Sequence, residues 1–216
     1  MKISLSILAG LGAALSLGAI AQAQELAQTG AGTWTVAFRG TAIIPDASGE
    51  IRTSAGVATG LNVDVETDCK PTLGVTYFLT DNLAVEGVLG AIQNEIHAKG
   101  PTTDLKVHKT WVLPPVVALQ YHFAPDAQVR PYVGAGLNYT LFVSGKDKSG
   151  FKVKIDNGFG YALQAGADIP VAEKSMINID VKKAFFKTDA RINGGALKAS
   201  ATLDPLVVSV GVTRVF

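Results

Sequence analysis

The sequence predicts an all-β fold: an eight-stranded antiparallel up-and-down transmembrane β-barrel with short periplasmic turns and longer extracellular loops. Three observations carry that prediction. Stretches of about ten residues recur in which apolar side chains alternate with small or polar ones, the length and pattern of a tilted membrane-crossing strand. Hydrophobic residues make up 48% of the chain and charged residues only 17%, yet past the N-terminus no apolar run is long enough for a membrane helix. Long polar connections and short turns also alternate between the predicted strands.

Residues 1–23 read as a secretory signal peptide, with 24–216 as the barrel. Lys2 supplies the positive start, Ile3 to Ile20 the apolar centre, and Ala21-Gln22-Ala23 the small-residue cleavage site. Ser4, Ser6 and Ser16 dilute the competing reading as a membrane anchor, and Gln24 is not the cysteine of a lipoprotein. Cys69 is the one cysteine, which excludes an internal disulfide; a small residue at a strand start is its expected role. The formal charge is +1, and without Lys2 the 18 remaining Lys and Arg balance 18 Asp and Glu. With no basic patch, nucleic acid is not an expected partner.

The first strand is Thr33 to Ile44, with Trp34, Val36 and Phe38 on one face and Thr35, Ala37 and Arg39 on the other. Pro45 ends it, and Asp46 to Asp68 is a long polar loop or extended hairpin. Leu73, Val75, Tyr77 and Leu79 mark the second strand, Thr80-Asp81-Asn82 a short turn, and Leu83 to Ile92 the third strand. A polar loop runs on to Lys109. The fourth strand, Trp111 to Phe123, is interrupted by Pro114 and Pro115. The fifth, Arg130 to Phe142, alternates most cleanly, with Val133, Ala135 and Leu137 outward against Gly134, Gly136 and Asn138. After a Lys-rich loop, Gly158 to Ile169 is the sixth strand, and the seventh begins at Ile177. Its alternation breaks at Lys182-Lys183, where a bulge or a lysine snorkelling to the membrane surface is expected. Leu203 to Phe216 is the eighth. Trp34, Tyr77, Tyr121, Phe123 and Phe216 gather at the turn end, and Trp111 and Tyr139 nearer the loop end, as interfacial girdles do. A soluble lipocalin-like barrel or sandwich would bury the apolar faces inside, and the opposite faces are too polar and Gly-rich to be buried equally.

These motifs resemble the OmpW family: LTDNLAVE (Leu79 to Glu86), LPP (Leu113 to Pro115), RPYVGAGLNYTLF (Arg130 to Phe142), and LDP (Leu203 to Pro205) before a C-terminal Phe216. They fall in one order across nearly the whole mature chain. The resemblance implies a Gram-negative outer-membrane barrel with a narrow hydrophobic channel, associated with passage of small hydrophobic molecules, alkane-uptake proteins included. It further implies outer-membrane lipid and small hydrophobic solutes as partners, and recognition of the C-terminal strand, through Phe216, by the barrel assembly machinery. Arg214 departs from the family pattern, which carries an aromatic third from the end.

An eight-stranded barrel is just wide enough for side chains to fill, which argues against a water-filled general porin. Arg39, Glu86, Asp168, Asp180 and Lys182 face inward near mid-height and below, and buried charges need partners, so a cross-linked polar plug is expected. Above it Val88, Ile92, Val116, Phe142 and Phe186 form a hydrophobic funnel, open outside and closed on the periplasmic side. A ligand above a closed floor must leave sideways. Pro114 and Pro115 are the candidate lateral gate, since each removes a ladder hydrogen bond; a rim bulge without transport role is the alternative. A non-conducting structural barrel, or a surface receptor acting through its loops, would instead have a filled lumen. No cofactor and no metal is expected. His97, His108 and His122 read as surface or loop histidines without metal-ligand spacing such as i, i+4, and no nucleophile is assembled with a base, so no enzyme is predicted.

Overall fold

The computed structural model describes residues 26–216; the expected signal peptide lies outside them. The strands are β1 (Trp34–Ile44), β2 (Ala47–Ser48), β3 (Glu50–Thr53), β4 (Ala58–Val65), β5 (Asp68–Phe78), β6 (Leu83–Gly90), β7 (Ile92–Lys99) and β8 (Asp104–Leu113). They continue with β9 (Val116–His122), β10 (Arg130–Asp147), β11 (Val153–Ile155), β12 (Gly158–Ala172), β13 (Ser175–Ile192), β14 (Leu197–Leu203) and β15 (Leu206–Val215). Every pairing is antiparallel, and the described residues contain no α-helix.

The ladders lead from β1 through β5, β6, β9, β10, β12, β13 and β15 back to β1. That circuit closes the sheet on itself, so these strands keep no open edge. Outward positions stay exposed and oily, such as Phe38, Val117, Leu137 and Val212, while their inward neighbours Arg39, Ala118, Asn138 and Thr213 are buried. Trp34 stacks beside Tyr77 at a ring separation of 4.5 Å and Tyr121 beside Phe123 at 5.2 Å, in the turn-end girdle.

Of the two readings of residues 46–68, polar loop or extended hairpin, the structure takes the hairpin, with β2, β3 and β4 and β3 paired to β4, whereas the stretch before Lys109, read as a loop, folds into the hairpin of β7 and β8. β10 and β13 run on to Asp147 and Ile192, so the wall continues past the closed circuit through β8, β7, β4, β3 and β14. In this extension the amphipathic pattern inverts. Ile51, Ala98, Val107, Ile192 and Ala199 are buried in one cluster, and the outer face carries ion pairs such as Lys99–Asp64 and Lys109–Glu95. A search for oily outward faces misses such strands, because here the oily face points in.

The bulge expected at Lys182-Lys183 is absent. Gln164 pairs Lys182 and Leu163 pairs Lys183 in unbroken register; the irregularity falls between Pro170 and Ala172. The pattern breaks in the sequence because Lys182 turns into the lumen, while Lys183 lies on the outer face and donates from Nζ to the Asp204 carbonyl.

Candidate functional site

The floor of the lumen is a hydrogen-bonded network assembled from five strands. Arg39 on β1 donates from Nη2 to Glu86 Oε1 on β6 at 2.7 Å and from Nε to Asn178 Oδ1 on β13 at 2.7 Å. Lys182 Nζ lies 3.3 Å from Glu86 Oε2 and also bonds Asp180. Tyr132 on β10 donates to Asp180 Oδ2 at 2.9 Å, and Asn178 Nδ2 donates to Asp168 Oδ1 on β12 at 2.8 Å. Glu86 and Asp180 are fully buried, Arg39 is 4% exposed, and the group therefore stands without bulk water. The structure thus brings all five predicted plug residues together, bridged by Asn178, which the alternation also turns inward, and by Tyr132, which sequence reasoning did not assign to the plug. Two glycines make room for the network: a Cβ at Gly166 would collide with the Tyr132 hydroxyl, and one at Gly74 would come within 2.7 Å of Arg39 Nη1.

Below the network, His122 lies between Phe78 and Tyr132, with ring separations of 4.9 and 5.0 Å. None of the three histidines is a surface residue. His122 is 2% exposed and His97 and His108 are each 7% exposed, covered by neighbours that a one-dimensional reading cannot place. Residues preceding β1 cross the turn end of the barrel. Ala27 N–H donates to the Ala172 carbonyl, Arg130 Nη1 donates to Thr29 Oγ1, and Ala31 N–H donates to Asp81 Oδ1. Ala27 packs on Met176 and Val215. This strap runs from the β12–β13 turn to the β5–β6 turn.

Above the network is an apolar cavity of about 150 Å³. Val88, Ile92, Val116, Phe142 and Phe186 all line it, and Phe142 faces Phe186 at 6.4 Å between ring centres. Arg39 and Lys182 form part of its floor. Farther along the strands, Val107 past Val112 on β8 and Ile192 past Phe186 on β13 belong to the buried apolar cluster of the extension, where side chains from β3, β7, β8, β13 and β14 meet.

The wall beside the cavity is discontinuous at one place. β6 pairs β9 only as far as Val88 with Val116, and β7 pairs β8 only from Ile92 with Val112. Pro114 and Pro115 fall in that gap, and Pro114 lines the cavity. A second proline break, Asp204-Pro205, is stitched: Ala184 N–H donates to the Pro205 carbonyl and Phe186 N–H to Asp204 Oδ1. At the C-terminus, Phe216 stays 72% exposed while its N–H donates to the Trp34 carbonyl, and Arg214 reaches Ser175 Oγ at 3.3 Å.

The OmpW family model matches residues 30–216. An uncharacterized outer-membrane protein, y4mB, of Sinorhizobium fredii is 37% identical over 201 residues, 91% of this chain and 86% of that protein. The dibenzothiophene metabolism operon protein PahQ of Pseudomonas aeruginosa is 29% identical over 186 residues, 85% of this chain and 88% of that protein. Among solved structures, the outer membrane protein OprG of Pseudomonas aeruginosa superposes with a TM-score of 0.82 at 27% identity, covering 88% of this chain and 98% of that one.

Proposed function

This chain belongs to the OmpW family of outer-membrane β-barrel proteins, and from that premise we propose that it passively admits small hydrophobic molecules across the outer membrane. In this reading the circuit of β1, β5, β6, β9, β10, β12, β13 and β15 is an eight-stranded membrane wall, the turns and the strap face the periplasm, and the extension faces outward. The observation that carries it is the apolar cavity set directly on a closed, ion-paired floor. A pocket of about this volume holds a benzene-sized molecule when its lining is apolar. The floor blocks the axial path, because a solute crossing it would have to break buried ion pairs at a cost of several kcal/mol.

The exit is lateral. At the seam marked by Pro114 and Pro115 the wall lacks ladder bonds to the β6–β7 side, and the cavity reaches Pro114. An apolar solute leaving there enters lipid rather than water. A relative named for a dibenzothiophene metabolism operon supports the substrate class, since dibenzothiophene is an apolar fused aromatic. Passage of this kind needs no chemistry, and we assign no catalytic residue. A non-conducting structural barrel, or a surface receptor acting through its extracellular part, is the second reading, favoured by the buried apolar cluster that packs the extension.

Uptake of a hydrophobic dye by cells producing wild-type protein, or a variant with Val88→Phe and Val116→Phe, separates the two. Transport predicts slower uptake once the cavity is filled; equal uptake at equal amounts of folded protein would favour the structural role. Replacing Pro114 and Pro115 with Val tests the exit in the same assay, and unchanged uptake would sink it.

A further inference from the structure

On the outer face of the extension, beside the cavity rim, one group of side chains has no role in the floor, the cavity or the seam. Asn94 lines the cavity, so strand alternation sends its neighbour Glu95 to the outer face, together with His97 two residues on, and Glu66 follows the end of β4 at Val65. Asp64 pairs His97 across β4 and β7, which brings the end of β4 alongside these two residues. One ligand atom from each of Glu66, Glu95 and His97 lies within 4.8 Å of the others.

His97 supplies the second, independent observation. Its ring is 7% exposed, and Asp104 Oδ1 lies 2.6 Å from Nδ1, which fixes the proton on Nδ1 in the neutral ring. Nε2 then carries a lone pair. It is buried and makes no hydrogen bond, and its nearest charged neighbour is another acceptor, Glu66 Oε1, at 3.4 Å. In the neutral ring this lone pair and the Glu66 carboxylate repel each other unless a proton or a metal ion stands between them, while Glu95 is met by Lys106 and Lys109. A carboxylate holding the far nitrogen of a ligating imidazole is also the usual arrangement around bound zinc.

We propose that Glu66, Glu95 and His97 bind one divalent transition-metal ion of the zinc class, with Asp104 orienting the imidazole. One imidazole nitrogen and two carboxylate oxygens suit a borderline ion at about 2.0–2.2 Å from each donor, with water completing four-coordination. Ligand atoms in such a tetrahedron stand about 3.3 Å apart, so the group must contract. Glu66, with its side chain 57% exposed, can move inward. The spacing is that of a strand, Glu95 and His97 at i, i+2 with a cross-strand partner, rather than the i, i+4 of a helix.

The competitors are visible. Lys106 and Lys109 both bond Glu95, and Lys99 bonds Asp64 next to the site. A metal must displace at least one ammonium from Glu95, so removing Lys106 should tighten binding, a result that a purely structural cluster would not produce. Bound metal would staple the β4–β5 junction to β7 at the rim of the cavity.

The test is isothermal titration of the refolded mature protein, in detergent micelles at pH 7.5, with zinc chloride. Saturable binding of one equivalent is expected, weakened about tenfold or more by His97→Ala or Glu66→Gln and by Asp104→Asn. Binding should tighten several-fold in Lys106→Ala and stay unchanged in His108→Ala. Heat-modifiable gel mobility reports whether each variant is folded; if His97→Ala fails to fold, Glu66→Gln and Lys106→Ala carry the test. Absence of saturable binding up to millimolar zinc, or equal binding by wild type and the folded ligand variants, would overturn the proposal.

Discussion

Glu86 is the carboxylate that meets both cations of the lumen floor, so Glu86→Gln is the sharpest test of how the floor is held. The change is isosteric and removes one charge from a residue that is 0% exposed. Arg39, 2.7 Å away, would keep Asn178, and Lys182 would keep Asp180. Two unit charges about 4 Å apart attract by about 4 kcal/mol at an effective dielectric of about 20. Glu86 makes two such pairs, against which stands the cost of holding its own charge out of water. Breaking a buried pair by removing one partner typically costs about 3–5 kcal/mol. The expected outcome is a loss of that size, a factor of roughly 10² or more in the unfolding equilibrium, read from urea titration of the barrel in phospholipid bilayers. A companion variant, Arg39→Met with Glu86→Leu, should recover much of it, because an apolar pair of similar volume does not strand a charge. If Glu86→Gln costs less than about 1 kcal/mol, or the paired variant is no better than the single one, the floor is not held by these charges.

Three further outcomes follow from other parts of the molecule. Gly166→Ala should push the Tyr132 ring off Asp180 and Asn178 and press on the Ile179 carbonyl, costing about 1–3 kcal/mol, and the part due to the ring should disappear when Tyr132→Ala is already present; full additivity of the two would refute the steric account. In planar bilayers the wild-type protein should show no steady ohmic steps, whereas Arg39→Ala with Tyr132→Ala should, since two large fillers are then gone; open steps in the wild type would contradict the closed floor. Lys106 and Lys109 hold the Glu95 carboxyl down to about 2, below its ordinary 4.5. Because the folded value is the lower one, the contribution of these ion pairs is complete above about 4.5 and is lost as pH falls through about 2. A carbon-detected NMR titration should find the low value in wild type and a rise toward 4.5 in Lys106→Ala with Lys109→Ala. A Glu95 midpoint near 4.5 in the wild type would contradict the pairing.

The membrane part of the fold was legible because lipid imposes one rule on every strand: oily side chains out, small or polar ones in. Val133, Ala135 and Leu137 obey it, and so does each predicted strand between the girdles. The extension was not legible because water imposes the opposite rule there. Ile51, Val63 and Val107 point inward among Gly, Thr and charged neighbours, and a pattern of inverted sign with no fixed spacing reads as loop. The floor could be foreseen because an inward Arg and Lys demand carboxylates, and three lay on inward positions. Tyr132 could not, since its role depends on the space left by Gly166, 34 residues further along and across a ladder. The setting of His97 was missed because Asp104 and Glu66 reach it only once β4, β7 and β8 are paired.

The floor also bears on a quantity of the whole cell rather than of the solute. The outer membrane is useful as a barrier only while small ions and polar toxins cross it slowly, and each open water path adds a leak in proportion to copy number. A lumen floor closed by buried side chains bonded to one another leaves no continuous file of water for an ion to follow. Under the proposed function, such a barrel could be made in large numbers without lowering the electrical resistance of the envelope, and its abundance could be set by demand for the apolar solute alone.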